Sequence, residues 1–171
     1  MKKLAAIFVT LLTAVSCIFE KPDPEFELKV GDRIPDFTVQ MSDGTVVASS
    51  QLREGAALIM FFHTSCPDCQ NTLPSVQKIY DEYKDEMDFV LMSREQEKGE
   101  IESFWKERGY TMPYSPQKDR KIYNLFATSR VPRVYICKDG KIASYYTDDP
   151  IPLYEELVSD ISSILYDQGD F

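Results

Sequence analysis

The apolar positions along the chain alternate between the periods of strands and helices. Ala56–Phe62 is continuously apolar, which is typical of a central strand buried on both faces. The apolar positions after it recur at helical spacing, at Val76, Ile79, Tyr80, Tyr83 and Met87. We therefore predict a buried strand followed directly by a long amphipathic helix.

Further elements continue this alternation toward the carboxyl end of the chain. Phe89–Met92 predicts the next strand. Three more helices are predicted: one along Ile101, Phe104 and Trp105 that ends near Gly109, one along Ile122, Leu125 and Phe126, and one that Pro152 opens and that continues along Leu153, Leu157, Ile161 and Ile164.

Two β-hairpins complete the predicted elements. The first has Phe37, Val39, Val46 and Val47 on the two sides of the turn Ser42–Gly44. In the second, Val134–Cys137 and Ile142–Tyr146 flank Asp139-Gly140, a strong hairpin signal. The order of elements predicts an α/β fold, a mixed central sheet flanked by helices on both faces, with an N-terminal β-hairpin extension.

The amino-terminal segment has the pattern of an export signal. Lys2 and Lys3 precede the apolar run Leu4–Val15, which is shorter than the roughly 20 residues needed to cross a bilayer. Small residues at Ala14–Ser16 come directly before Cys17. This arrangement resembles a bacterial lipoprotein signal, which implies that residues 1–16 are removed and that Cys17 carries a lipid. Ordinary secretion with a free or paired Cys17 is the alternative.

The predicted domain follows a short tether. Glu20–Glu27 combines charges with Pro22 and Pro24, so residues 17–30 are interpreted as the lipidated cysteine and an extended linker. The folded domain is expected over residues 31–171, beginning near Gly31. We expect the protein to be exported and held at a membrane of the bacterial cell envelope, on the periplasmic side or at the outer membrane.

The charge of the chain disfavours nucleic acid as a partner. The 171 residues include 19 Lys and Arg against 28 Asp and Glu, a formal charge of −9. No basic cluster offsets this balance locally, so the electrostatic basis of phosphate-backbone binding is missing. No cofactor is implied by the sequence.

The candidate chemistry lies in the pair Cys66 and Cys69, at the predicted strand-to-helix junction. Free N–H groups and the positive end of a helix stabilise a thiolate at Cys66, which makes it the candidate attacking thiol. Two intervening residues in a helical turn bring Cys69 within disulfide distance, so it can resolve a mixed disulfide. Pro67 suits the first helical position and stiffens the turn.

The cysteine pair also has two structural interpretations, a permanent disulfide and half of a zinc site. A permanent disulfide closing so small a ring adds little stability in the chain-entropy account. Half of a zinc site needs further ligands, and the only histidine is His63 while the only other cysteine of the domain is Cys137. Cys137 ends an apolar run, which favours a small buried hydrophobic residue over a third redox thiol.

These residues resemble the thioredoxin superfamily, in particular the exported, membrane-tethered thiol-disulfide oxidoreductases of the TlpA/ResA type, close to the redoxin and thiol-specific antioxidant group. The resemblance is carried by Phe61–Cys69, Pro74, Val131–Ile136 and Asp139–Ile142. It implies a thioredoxin-like fold and exchange with protein thiols or disulfides, with a separate redox partner. It also implies that Pro132 follows a cis bond and faces the dithiol, and that the Val131 backbone pairs with an extended substrate.

Three positions depart from the family pattern. Ser65 stands where the family often has Trp, Thr72 where the cytochrome-maturation branch has Glu, and Met60 where thioredoxin has a buried Asp. Neither usual buried carboxylate is therefore present. Proton transfer at Cys69 must use water, Asp68, His63 or a group distant in sequence.

Asp68 and His63 are the candidate tuning groups around the pair. The Asp68 carboxylate opposes a thiolate at Cys66, which predicts a bias toward reductant, although a solvated surface acid would have little effect. His63 either tunes the thiolate and relays a proton or is a satisfied histidine at the end of a strand.

Several functions fit this sequence to different degrees. The first is exchange of a Cys66/Cys69 dithiol-disulfide with cysteines of exported proteins. A thiol peroxidase is a second possibility, but such enzymes resemble this fold with Thr at the position of His63. A copper-binding lipoprotein would need a downstream histidine, and a scaffold with an idle disulfide is the fourth alternative.

Overall fold

The computed structural model describes residues 26–166, which contain seven strands and three α-helices. The strands are β1 (Thr38–Gln40), β2 (Val46–Ala48), β3 (Ala56–Phe62), β4 (Asp88–Ser93), β5 (Tyr114–Ser115), β6 (Arg133–Lys138) and β7 (Lys141–Tyr146). The α-helices are α1 (Pro67–Tyr83), α2 (Lys98–Arg108) and α3 (Tyr154–Tyr166). Short 3₁₀ helices occupy Ser49–Arg53 and Tyr123–Leu125.

The central sheet is mixed and has the order β5-β4-β3-β6-β7. Strand β3 lies at its centre, parallel to β4 and antiparallel to β6. All seven residues of β3 are buried, as the unbroken apolar run predicts. The predicted α/β fold with a mixed sheet is confirmed.

Both faces of β3 are covered, because successive side chains of a strand point to opposite faces. The Phe62 ring packs on Trp105 of α2 with ring centroids 5.0 Å apart. On the other face, Phe61 packs against Phe126 at 5.0 Å and against Tyr123 at 5.4 Å. These aromatic residues form part of the buried core.

The predicted long helix and the helix that follows the next strand are confirmed. Helix α1 ends at Tyr83, and Met87 lies beyond it in the turn before β4. Helix α2 ends at Arg108 and is capped by Gly109, whose φ of 71° is the left-handed conformation that terminates many helices. Helix α3 begins at Tyr154 rather than at Pro152, and the Leu153 N–H bonds to the Glu156 carboxylate 2.8 Å away, as in a helix cap.

The predicted helix along Ile122, Leu125 and Phe126 is wrong. The structure has only the short 3₁₀ helix Tyr123–Leu125 there. Main-chain pairing explains the difference, because the Leu28 N–H bonds to the Phe126 carbonyl at 2.8 Å. Phe126 is still in the helical conformation, and the helix cannot continue beyond it because the next residue, Ala127, forms an antiparallel bridge with Glu27.

The two predicted hairpins are both present. Strands β1 and β2 pair antiparallel with Val39 opposite Val47. In the turn between β6 and β7, Asp139 and Gly140 have φ values of 49° and 73°, which suit the Asp-Gly pair. Strand β5 was not predicted, since two residues are too few to show a period.

The first described residues pack against the body of the domain. The Phe26 carbonyl accepts the Thr128 N–H at 3.0 Å, and Glu27 forms an antiparallel bridge with Ala127. Residues 26–28 of the expected tether are thus paired with the segment that leads to Val131. The expected signal at 1–16, Cys17 and the rest of the tether lie outside the described residues. Within 26–166, no helix is long and apolar enough to cross a membrane.

Candidate active site

The two cysteines lie where β3 passes into α1. Cys66 is the residue that caps the amino end of α1, and Pro67 occupies the first helical position. The first helical turn therefore starts directly after Cys66, and its N–H groups have no acceptor within the helix. The junction has the strand-to-helix geometry that the sequence predicts.

Cys66 is half-buried and directly contacts the segment that carries Pro132. Its thiol donates a hydrogen bond to the Val131 carbonyl oxygen, with the sulfur 3.3 Å from the oxygen. The Val131–Pro132 peptide bond is cis, as the family resemblance implies. The structure thus brings together Cys66 and Val131, which are 65 positions apart in sequence.

Cys69 is fully buried behind Cys66. Its sulfur accepts a hydrogen bond from the His63 main-chain N–H at 3.5 Å. Burial raises the pKa of the Cys69 thiol far above its ordinary value. The structure records Cys66 and Cys69 as free thiols, one accessible and one enclosed. This asymmetry suits one attacking and one resolving sulfur.

The His63 ring is held by its neighbour Ser65. The Ser65 N–H donates to Nδ1 at 3.2 Å, and Ser65 Oγ lies 2.9 Å from the same nitrogen. Because Nδ1 accepts the main-chain hydrogen bond, the ring proton sits on Nε2. Burial, followed by the positive charge of Arg94, lowers the pKa of His63 below its ordinary 6.5. The imidazole is therefore neutral at neutral pH.

Asp68 is half-buried in the first turn of α1, and no carboxylate bonds to either sulfur in the part of the chain described. The main-chain carbonyl of Asp68 accepts a hydrogen bond from the Thr72 hydroxyl at 2.8 Å, so the Thr72 side chain is bonded within its own helix. Met60 is buried, at 0% exposure, where thioredoxin has its carboxylate.

Cys137 lies in β6 opposite Ala57 and is fully buried. Burial raises the pKa of its thiol to about 12. A thiol of this kind is a poor nucleophile at neutral pH. These observations support its interpretation as a small core residue.

Sequence reasoning missed a glutamine that clamps the loop before the cysteines. Gln96 is 3% exposed, and its side-chain oxygen accepts the Thr64 N–H at 3.0 Å while its amide nitrogen donates to Thr64 Oγ1. The Gln70 amide donates to the Thr64 carbonyl at 2.7 Å. Every polar group of Thr64 is thus bonded, which fixes the loop that ends at Cys66.

A second missed group holds the loop that ends at Pro132. Its three successive carbonyl oxygens, at Ser129, Arg130 and Val131, each accept a side-chain hydrogen bond. The donors are Arg133 Nη2 at 2.8 Å, the Tyr123 hydroxyl and the Cys66 thiol, respectively. Arg133 is 5% exposed and also forms an ion pair with Glu27.

Arg94 is the third missed residue. It follows β4 directly and places its guanidinium 5.4 Å from the centre of the Tyr123 ring. The sequence does offer one signal, since Ser93–Gln96 is a polar run directly after the predicted strand Phe89–Met92, which the structure shows to be parallel to β3. Functional groups gather at the carboxyl ends of such strands.

The sequence and the structure were compared with known proteins. The profile of the AhpC/TSA family matches residues 30–145. The chain is 27% identical over 146 residues to a thiol-disulfide oxidoreductase ResA of Oceanobacillus iheyensis, an alignment that covers 81% of this chain and 76% of that protein.

Two solved structures show the same fold. A putative protein disulfide isomerase from Bacteroides thetaiotaomicron superposes with a TM-score of 0.76 at 23% identity and covers 82% of this chain and 92% of that chain. A pneumococcal exposed lipoprotein thioredoxin from Streptococcus pneumoniae gives a TM-score of 0.65 at 17% identity, covering 75% and 99%. The fold is therefore thioredoxin-like.

Proposed function

Since the chain belongs to the AhpC/TSA family and is a thiol-disulfide oxidoreductase, we propose that it exchanges a Cys66/Cys69 dithiol-disulfide with cysteines of exported proteins and acts there as a reductant. The observation that carries this proposal is the difference between the two sulfurs. Cys66 is partly accessible at a helix start, and Cys69 lies enclosed one turn along.

The proposed reaction proceeds in two exchanges. The Cys66 thiolate attacks a substrate disulfide, forms a mixed disulfide and expels one substrate thiolate. Cys69 then attacks the Cys66 sulfur, which forms the Cys66–Cys69 disulfide and expels the second substrate thiolate. The proton lost by Cys69 passes to solvent or to the departing thiolate. Two electrons move from the protein to the substrate, and a separate reductant restores the dithiol.

Val131 and Pro132 are proposed to bind the substrate beside Cys66. The Val131 carbonyl lies 3.3 Å from the Cys66 sulfur, so a peptide bonded to this backbone would place its own cysteine at the attacking atom. Extended peptides commonly bind by adding main-chain hydrogen bonds to an exposed backbone segment. Pro67 stiffens the motif, while Asp68 and His63 are proposed to tune the Cys66 thiolate.

A reducing role is supported by the charge that Asp68 adds to the first turn of α1. A carboxylate near Cys66 opposes the thiolate and so disfavours the reduced form. By itself this effect makes the dithiol a better electron donor, because the reduced state is less stabilised.

The proposed location follows from the amino-terminal pattern. We place a signal peptide at 1–16, a lipid on Cys17, a tether over 17–30 and the catalytic domain over 31–171. The protein would then be anchored by lipid to a membrane of the cell envelope.

Trapping of substrates tests the proposed function. In Cys69→Ser, mixed disulfides formed by Cys66 cannot be resolved and should accumulate as covalent adducts on non-reducing gels. Cys137→Ser is the matched control, because it removes a thiol that lies apart from the site. Adducts should appear in Cys69→Ser alone and disappear in the double variant Cys66→Ser/Cys69→Ser. Absence of adducts in cells expressing Cys69→Ser would contradict the proposal.

A further inference from the structure

The Phe62–His63 peptide group lies between Cys69 and Arg94. Its N–H, from His63, donates to the Cys69 sulfur at 3.5 Å. Its C=O, from Phe62, accepts the main-chain N–H of Arg94 at 2.8 Å. Residue 94 is therefore fixed one peptide group away from the buried sulfur, and hydrogen bonds in such a chain polarise one another.

The Arg94 side chain stays close to the site instead of extending into solvent. Its guanidinium lies 5.4 Å from the centre of the Tyr123 ring, and it is half-buried. The Nε atom is buried and has no hydrogen-bond partner. The guanidinium is permanently charged, and burial reduces the screening of that charge by water.

The enclosed thiol of Cys69 lacks a carboxylate partner. Burial disfavours its ionised form, yet it must lose its proton to attack a mixed disulfide on Cys66. The hydrogen bond from the His63 main-chain N–H acts against this effect of burial on the Cys69 thiol, and the positive charge of Arg94 acts in the same direction to a smaller extent. The same charge also acts on His63, which is neutral.

We propose that Arg94 supplies the positive charge that stabilises the Cys69 thiolate during resolution of the mixed disulfide. This inference rests on the proposed function. Arg94 is a positioning residue, because its side-chain charge acts on Cys69 without touching the reacting atoms, while its main-chain N–H fixes residue 94 beside the site. Related proteins have a buried carboxylate at the position of Met60 or Thr72, and this chain has neither. Arg94 assists the ionisation of Cys69 by electrostatic stabilisation of the thiolate, and it does not transfer a proton.

The charged and titratable groups around Cys69 come from three elements. Cys66 faces it from the start of α1 and His63 from the end of β3, while Arg94 faces it from the segment after β4. Glu95 and Glu100 influence the site through His63. Arg94 is the permanent cation of this set.

Resolution is measurable with the aromatic disulfide dithiobis-nitrobenzoate. Cys66 attacks the reagent, keeps one nitrothiobenzoate as a mixed disulfide and releases the other as a coloured thiolate. Cys69 then forms the Cys66–Cys69 disulfide and releases the second coloured thiolate with one proton. Stopped-flow absorbance separates these two releases. The full-length chain with Cys17→Ser is used throughout, so that Cys17 does not react.

Arg94→Met should leave the first release within about twofold and slow the second severalfold, roughly up to tenfold, because the Cys69 thiolate loses a stabilising charge. Because the thiolate is the nucleophile, the curve of second-release rate against pH should move to higher pH. Arg94→Lys keeps the charge and should restore most of the rate. Arg53→Met, on an exposed arginine paired with Asp36, is the matched control and should change neither release.

The outcomes separate the two proposals. Lack of a second release in the parent chain would contradict the proposed function itself. A normal second release in Arg94→Met would overturn the role of Arg94 and leave the proposed function standing. Equal slowing in Arg94→Met and Arg94→Lys, with no displacement of the pH curve, would assign Arg94 to packing and also overturn it.

Discussion

The Cys66 thiol donates a hydrogen bond to the main-chain carbonyl of Val131, with the sulfur 3.3 Å from the oxygen. This contact joins the attacking sulfur to the backbone segment proposed to bind substrate. A disulfide sulfur has no proton to donate, so the contact exists only while Cys66 is a thiol. The acceptor on Val131 is therefore occupied in the reduced thiol form and open in the oxidised form.

Oxidation should consequently change the hydrogen bonding of Val131 and leave its neighbour unchanged. In carbonyl-labelled protein, the Val131 carbonyl carbon should shift upfield when the Cys66–Cys69 disulfide forms. The Arg130 carbonyl is the internal control, because the Tyr123 hydroxyl bonds to it independently of redox state. Equal shifts at both carbonyls, or none at Val131, would contradict the assignment.

Neutralising Asp68 should increase the reactivity of Cys66. Interactions between partly exposed charges contribute about 0.2–1 kcal/mol, so loss of the Asp68 charge in Asp68→Asn should raise the rate of Cys66 alkylation near neutral pH roughly up to fivefold. Asp81→Asn, an exposed acid far along the same helix, is the control. An alkylation rate of Asp68→Asn equal to that of Asp81→Asn would show that Asp68 is an ordinary solvated acid.

His63 should titrate below the usual range for histidine. It is the only histidine of the chain, so its NMR signals need no further assignment. Burial lowers its pKa from 6.5, and the folded state therefore resists a proton that the unfolded state accepts. Its contribution to stability is present above 6.5 and is lost as pH falls through that value toward the folded pKa. Ring nitrogen shifts should show the Nε2–H tautomer, and a pKa at or above 6.5 would refute this environment.

Local pattern was sufficient to predict most of the fold. The apolar run of β3, the helical spacing in α1 and the Asp139-Gly140 turn are each properties of a few consecutive residues. The failed helix near Leu125 shows the limit of such reasoning. The conformation of this segment depends on the pairing of Phe126 with Leu28, which lies 98 positions away along the chain.

The candidate site was predictable only where its residues are close in sequence. Cys66 and Cys69 could be identified from spacing, and the resemblance added Val131 and Pro132. Gln96 and Arg94 act through contacts with residues about thirty positions away, such as the bond from Gln96 to Thr64. No period or short motif records contacts of this kind, because they arise when the ends of β3 and β4 meet in the sheet.

Loss of the Gln96 side chain should weaken both stability and catalysis. Gln96→Ala leaves the buried N–H and hydroxyl of Thr64 without partners, which should cost about 1–3 kcal/mol in the free energy of unfolding. The rate of Cys66 alkylation should change as well, because the loop before it is no longer fixed. Gln40→Ala, at an exposed side chain, should cost less than about 0.5 kcal/mol. Equal losses in urea unfolding would contradict the clamp.

The Glu27–Arg133 ion pair should stabilise the domain and the loop before Pro132 together. The two side chains expose only 14% and 7% of their surface, and Arg133 also bonds to the Ser129 carbonyl at 2.8 Å. Removing one partner of a buried pair leaves an uncompensated charge, so Glu27→Gln should lower the free energy of unfolding by about 3 kcal/mol.

Lys29→Met tests the specificity of this effect, because Lys29 bonds to the same carboxylate at 2.7 Å but is 59% exposed. Exposed pairs contribute about 1 kcal/mol or less and weaken in salt. Urea unfolding at low and high salt should therefore show a large, salt-insensitive loss for Glu27→Gln and a small, salt-dependent loss for Lys29→Met. If the two variants lose the same stability, Glu27 contributes no more than a surface charge and does not anchor the loop before Pro132.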